Sequence, residues 1–259
     1  MKVISIVNPK GGAGKTVTAV NLAYAMSLKG KKVLLIDTDP RNAISTYLNL
    51  KNDNTIFDLI KECYETMKFG KAKYIAGKNK VDAIISDERM LQLEMLFASY
   101  SDNQAIFNIF SNIMEQLKQV IIDTEGSINN TVRGILNATD YIVAPSKCSL
   151  IDTNGINDLI KIYFIGKRNN PKLELKKVFF VQVEERTKVF ADALKEFTEF
   201  FNSNDLGLNS NILSKNYVRK DSNINNAMLE NLDIINYKKS SPSSTDYRNI
   251  ANELIKELE

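Results

Sequence analysis

The chain contains no histidine and only two cysteines, Cys63 and Cys148, which are far apart and outside any CxxC pair. These absences remove zinc sites of the common Cys/His kind and acid–base chemistry based on imidazole. Two isolated thiols fit a reducing compartment, where such groups stay unpaired. Long apolar runs are missing too: no stretch approaches the ~18 residues that mark a membrane-spanning helix. The first apolar run, Val3 to Val7, leads straight into a glycine loop and does not read as a signal peptide. A strong charge imbalance is also absent, the net charge being +3. Locally, residues 161–188 carry eight Lys/Arg against three acids. On charge alone that stretch is either a basic surface or a solvated loop.

What is present is ordinary for a globular protein: 259 residues, 44% apolar and 25% charged, enough for a large core without disulfides or a structural metal. Short apolar runs recur at Val3–Val7, Val33–Ile36, Ala83–Ile85, Val120–Ile122, Tyr141–Ala144 and Val178–Val183. Several are continuous rather than alternating, as in strands buried on both faces of a parallel sheet. Helical segments lie between them: Thr16 to Lys29 with Gly30 as a stop, Leu91 to Phe97, Ala105 to Leu117, Thr153 to Ile165 and Val189 to Phe201. Asn249 to Glu259 reads as a closing helix, and the Ser-rich Ser240–Ser244 before it as a loop. Strands alternating with helices predict an α/β fold, a doubly wound, mostly parallel sheet flanked by helices. No internal repeat or linker divides the chain, so residues 1–259 are expected to form one domain.

The most informative run is Ile4 to Thr16, where a strand ends, three glycines follow within four positions and a helix begins. Glycines let backbone wrap an anion, and the N–H groups of the loop and helix start then face phosphate oxygens. In such a loop Gly11, Gly12, Ala13, Gly14 and Val17 line the phosphates, Lys15 reaches the β- and γ-phosphates, and the Thr16 hydroxyl binds Mg²⁺. A dinucleotide reading, Gly12-Ala-Gly14-Lys-Thr-Val17, fails at Val17, which replaces the third glycine. Lys-Thr at the helix start suits a triphosphate with a metal better than a pyrophosphate alone.

Two acidic strand ends complete the pattern. Val33-Leu-Leu-Ile-Asp37-Thr-Asp39-Pro40 ends in a pair of aspartates, on the sheet edge where ligands bind. Val120-Ile-Ile-Asp123 ends in an acid placed to hold Mg²⁺, usually through water. Each aspartate has a plainer reading as a turn or helix-cap residue.

The loop departs from GxxxxGK[ST]: Pro9 stands where the first glycine belongs, and an extra lysine, Lys10, precedes the glycine pair. In this it resembles the deviant Walker A loop of the ParA/Soj/MinD partition ATPases, and the resemblance extends over nearly the whole chain. It implies a P-loop NTPase that hydrolyses ATP to ADP with Mg²⁺. Lys10 would reach across a dimer interface to the partner's phosphates, Lys15 would hold its own, and Asp39 would position the attacking water. Thr16, Asp37 and Asp123 would lie on the metal side. It further implies an ATP-closed homodimer that binds DNA without sequence preference and answers to a ParB-like centromere-binding protein. That places the chain in the cytoplasm, on the nucleoid. Arg219 and Lys220 match the family's late basic loop best, followed by Arg186 and Lys188 and then by Lys172, Lys176 and Lys177; a solvated basic face remains the alternative for each. The same loop marks MinD-like, membrane-cycling relatives. Here, however, the last residues are acidic at the tip with only Ile250, Leu254, Ile255 and Leu258 as apolar groups, so no stable membrane association is expected. One departure stands out. Relatives usually continue Asp-x with two prolines, whereas this chain has Asp123-Thr-Glu-Gly126. Gly126 is the candidate for the turn that senses the terminal phosphate, and Glu125 has no assigned role.

Overall fold

The computed structural model describes residues 2–66, 81–93, 119–148, 153–203, 207–208 and 211–259. Helices expected over 105–117 and most of 91–97 lie outside the described residues. Six strands form one parallel sheet: β1 (Lys2–Ile6), β2 (Val33–Asp37), β3 (Val81–Ile84), β4 (Gln119–Asp123), β5 (Tyr141–Lys147) and β6 (Glu174–Val181). Their order is β3-β2-β4-β1-β5-β6, and every pair is parallel. All five residues of β2 are buried. This is why the strands read as continuous apolar runs, since parallel sheets are covered on both faces.

Helices α1 (Lys15–Ser27), α2 (Ala43–Leu48), α3 (Ile56–Thr66), α4 (Asn130–Asn137), α5 (Thr153–Asn169), α6 (Lys188–Asn202), α7 (Asn223–Leu229), α8 (Ile234–Tyr237) and α9 (Pro242–Leu258) cover the sheet. One core joins α1 to β1, β2 and α9 through Ala19, Leu22, Met26, Tyr247, Ile250 and Leu254. α1 is therefore enclosed between the sheet and α9, and almost every residue from Thr18 onward is buried. Two further clusters pack α3, and α4, α5 and α6, against the remaining sheet surface.

The Ser-rich stretch is not a loop. Ser241 caps α9 by accepting from Ser244 N–H, with Pro242 in the first turn. Serine satisfies an orphan N–H and proline needs none there, so residues that break a helix interior start this one.

The order matters for function. β1 lies between β4 and β5, so the connections after β1 and after β4 leave toward opposite halves of the sheet. This opens a crevice at the carboxyl ends of the strands, where α/β sheets take ligands. The loop 7–14, the aspartates ending β2 and β4, and the ends of β5 and β6 all fall on that edge.

Candidate nucleotide site

Gly12 and Gly14 adopt left-handed φ of 72° and 82°. Gly14 caps α1 without a side-chain partner for its first amides, and the helix ladder begins at Thr18 N–H to Gly14 O, 2.9 Å. Those amides are left for an anion. Asn8, which the motif did not single out, pins the loop: its side chain donates to Pro145 O at 2.8 Å and accepts from Lys10 N–H at 2.9 Å. Nothing in the spacing marks Asn8; its role comes from the approach of β5.

Lys15 is buried, and its ammonium donates to Lys10 O at 3.1 Å. Burial lowers its pKa, while the charges of Asp123, Asp39 and Glu125 oppose the shift. Asp37 and Asp123 face each other in register across β2 and β4, and both are fully buried. Their surroundings differ. Asp37 accepts from Asp39 N–H at 3.0 Å and Ile44 N–H at 2.9 Å, one bond to each oxygen. Burial raises its pKa to about 7 against the pull of those amides. Its geometry makes it the organiser of the turn that carries Asp39, rather than an open metal ligand. Asp123 has no hydrogen-bond partner on either oxygen among the described residues. Burial, and then the Asp37 charge, raise its pKa well above the usual carboxylate range. The approach of the Thr16 hydroxyl and the Lys15 charge oppose that shift.

An orphaned, fully buried carboxylate is costly unless something charged comes to meet it. With Thr16 beside it, the donor set fits Mg²⁺, which takes one or two protein oxygens and completes its shell with phosphate and water. Consistently, no group of three or more His, Cys, Asp or Glu able to hold a metal alone exists among the described residues.

A cavity of about 750 Å³ brings these parts together. Gly11 to Val17, Asp39, Pro40, Arg41, Ala43, Leu91, Glu125 to Ser127, and Gln182 wall it. Gln182 was not foreseen; it sits at the end of β6 with φ 56°, and strained backbone of that kind gathers at binding sites. The switch-like loop after β4 is built locally. Glu125 accepts from Ser127 and Asn129, and Asn129 caps α4 by accepting from Val132 N–H at 2.8 Å. Gly126 lies against the phosphate loop: a Cβ there would stand 3.3 Å from Lys15 Nζ and 3.4 Å from Gly11 N.

The two loop lysines diverge. Lys15 walls the cavity, whereas Lys10 does not. Its stem lies on the first turn of α5, where a Cβ on Gly155 would be 2.9 Å from Lys10 Cε.

A family model described as an AAA domain, AAA_31, matches residues 1–175. The chain belongs to the ParA/Soj/MinD family of ATPases. Within that family it is 24% identical to the chromosome-partitioning ATPase Soj of Treponema pallidum, over 98% of this chain and 97% of the relative. An McdA variant from Cyanothece solved with ATP superposes with a TM-score of 0.81 at 18% identity, covering 98% of this chain and 96% of that one. A Mycobacterium smegmatis structure described as cobyrinic acid a,c-diamide synthase, with ADP and magnesium, gives 0.79 at 18%, covering 99% and 95%. These structural likenesses carry the fold, and the names attached to it differ.

None of the basic candidates walls the cavity. Backbone pairing of Val183 with Arg219, and Lys220 N–H to Val183 O at 2.9 Å, places Arg186, Lys188, Arg219 and Lys220 in one neighbourhood. Acids are interleaved there: Glu184 pairs with Lys220, and Asp246 takes the Arg219 guanidinium at 2.7 and 3.0 Å. Arg186 and Lys188 are exposed. Lys177 is not a surface group at all. It is buried in β6 against Glu253 at 3.0 Å and Glu257 at 2.6 Å.

Proposed function

We propose that the chain is a ParA-like partition ATPase whose ATP-bound form closes as a dimer across the phosphate loops. The observation that carries this reading is the divergence of the two loop lysines. Lys15 points into the chain's own cavity, and Lys10 lies outside it on α5. A single-chain ATPase needs only the inward lysine; a cation set outside the cavity suits phosphates held by another copy.

In this reading the loop amides and Lys15 hold the phosphates, while Thr16 and Asp123 hold Mg²⁺. When bound, the metal neutralises charge that builds on the transferred phosphoryl group. Asp39 orients a water for attack on the γ-phosphorus. The bond to the β–γ bridging oxygen breaks, and ADP and phosphate leave. Asp37 keeps the Asp39 turn in place. Cation delivery in trans is worth roughly 10³–10⁵ in rate where an arginine does it; Lys10 lacks the bidentate fork, so a smaller gain is expected. Non-specific DNA is the proposed track and a ParB-like protein the proposed stimulator. The apolar side of α9 is buried in the core, which argues against a membrane-binding helix there.

The test uses two variants. Lys15→Ala should lose nucleotide binding. Lys10→Ala should bind ATP but stay monomeric with it in sedimentation. ATP-dependent dimerisation of Lys10→Ala at wild-type strength would remove the dimer reading and leave a plain P-loop ATPase.

A further inference from the structure

A third lysine stands at the phosphate loop, and no motif accounts for it. Lys147 ends β5 in register with Val181 of β6. Val181 in turn lies against the loop, since a Cβ on Gly14 would be 3.5 Å from its Cγ2. The ends of β5 and β6 therefore abut the loop on the flank away from β4. From that flank Lys147 reaches Gly12, where a Cβ would stand 3.8 Å from Lys147 Nζ.

Two features set this ammonium apart. The Lys147 side chain makes no hydrogen bond or ion pair among the described residues. The acids of the site bear instead on Lys15, beside Asp123, Asp39 and Glu125. Nor does Lys147 wall the cavity that would take the chain's own nucleotide; like Lys10, it stands outside. Lys10 leans on Gly155, at the start of the helix that follows β5. The two cations thus share one outer flank, next to the positive end of α1. No described side chain neutralises Lys147, and an external polyanion would meet its charge.

We propose that Lys147 is a second cation which each copy offers, alongside Lys10, to the triphosphate bound by a second copy. The proposal rests on the dimer reading above and deepens it: the composite site would contain two lysines in trans.

The experiment compares wild type, K147Q and K147R by sedimentation over a range of protein concentrations, with ATP and Mg²⁺. The dimer dissociation constant of K147Q should rise on the order of tenfold or more, as expected for loss of a charge-assisted contact. K147R should retain most of the wild-type value, because the charge is kept. Unchanged dimerisation of K147Q overturns this inference alone. A wild type that stays monomeric with ATP overturns the dimer reading and this inference with it. Nucleotide binding is also measured in the monomeric K10A background, with and without K147Q. A tenfold loss there would place Lys147 at its own chain's phosphates and sink the assignment in trans.

Discussion

At the scale of single residues, two aspartates that look alike in sequence differ in chemistry. Both end buried strands and face each other in register. Asp37 is satisfied by two backbone amides, whereas Asp123 is bare. Burial raises both pKa values, so the folded chain holds these protons more tightly than the unfolded chain. The linkage sign follows. Their stabilising effect is complete below the ordinary carboxylate value, about 4. It is lost as pH rises through the folded value, about 7 for Asp37. Without nucleotide and Mg²⁺, thermal stability should therefore fall between pH 5 and pH 8. Asp123→Asn should flatten that fall and stabilise the nucleotide-free chain by about 1 kcal/mol or more at pH 8. It should also lose Mg²⁺-dependent ATP hydrolysis. Differential scanning calorimetry across pH, with a hydrolysis assay, checks both; an Asn variant less stable than wild type at pH 8 would contradict the account of Asp123.

At the scale of elements, the site depends on one loop leaning on another. The Asp123-Thr-Glu-Gly126 turn contains no proline, yet it is held by Glu125 to Ser127 and Asn129, and by the cap of α4. Thr124 adds a hydrogen bond from its hydroxyl to Ile6 O at 2.8 Å, tying the turn to β1. Glu125, without a role in the sequence reading, thus braces the turn. Gly126 is the contact point, and a methyl group would press on Lys15 Nζ and on Gly11 backbone. Gly126→Ala should shift the turn by a few tenths of an ångström. Turnover should drop about tenfold while ATP affinity changes less than about threefold, because sub-ångström misplacement costs rate before binding. Steady-state hydrolysis and equilibrium nucleotide binding separate the two; equal losses in both would mean that the turn only supports the phosphate loop. Helix boundaries show the limits of local reading. α6, expected at 189–201, spans Lys188–Asn202 with Thr187 as its cap. α9 begins well before the expected Asn249, because its first turns are polar and their burial against the core is not visible in periodicity.

At the scale of the whole molecule, the fold decides which basic residues remain on the surface. Lys177 belongs to an internal cluster with Glu253 and Glu257 that fastens α9 to β6. Arg219 is gripped by Asp246 through two nitrogen–oxygen contacts. Removing its side chain would leave the largely buried Asp246 carboxylate without its charge partner and with only the Arg219 backbone N–H to meet it, a structural injury that mimics loss of DNA binding. Arg186, Lys188 and Lys220 can be tested more cleanly. If this neighbourhood contacts DNA, each Lys or Arg to Ala change there should lower the salt slope of DNA binding by about one, uniformly across sequences. Melting temperatures should hold to within a few degrees, since exposed pairs contribute little to stability. Unchanged slopes in all three would move the DNA surface elsewhere.

Sequence alone determined the parallel α/β architecture, the phosphate loop and the family. Buried parallel strands must be apolar throughout, and backbone that wraps a phosphate needs glycine at left-handed φ. Those demands are local and leave a mark on neighbouring residues. Tertiary structure decided everything that depends on residues distant in the chain. It separated a satisfied Asp37 from a buried Asp123 with no hydrogen-bond partner, and sent Lys10 outward while Lys15 points in. It tied Asn8 to Pro145, brought Gln182 and Lys147 to the loop, buried Lys177 and fastened the fork of Arg219 to Asp246. Side-chain chemistry is written in the sequence, but the partner each charge meets is set by which strands lie side by side, and that order is not local.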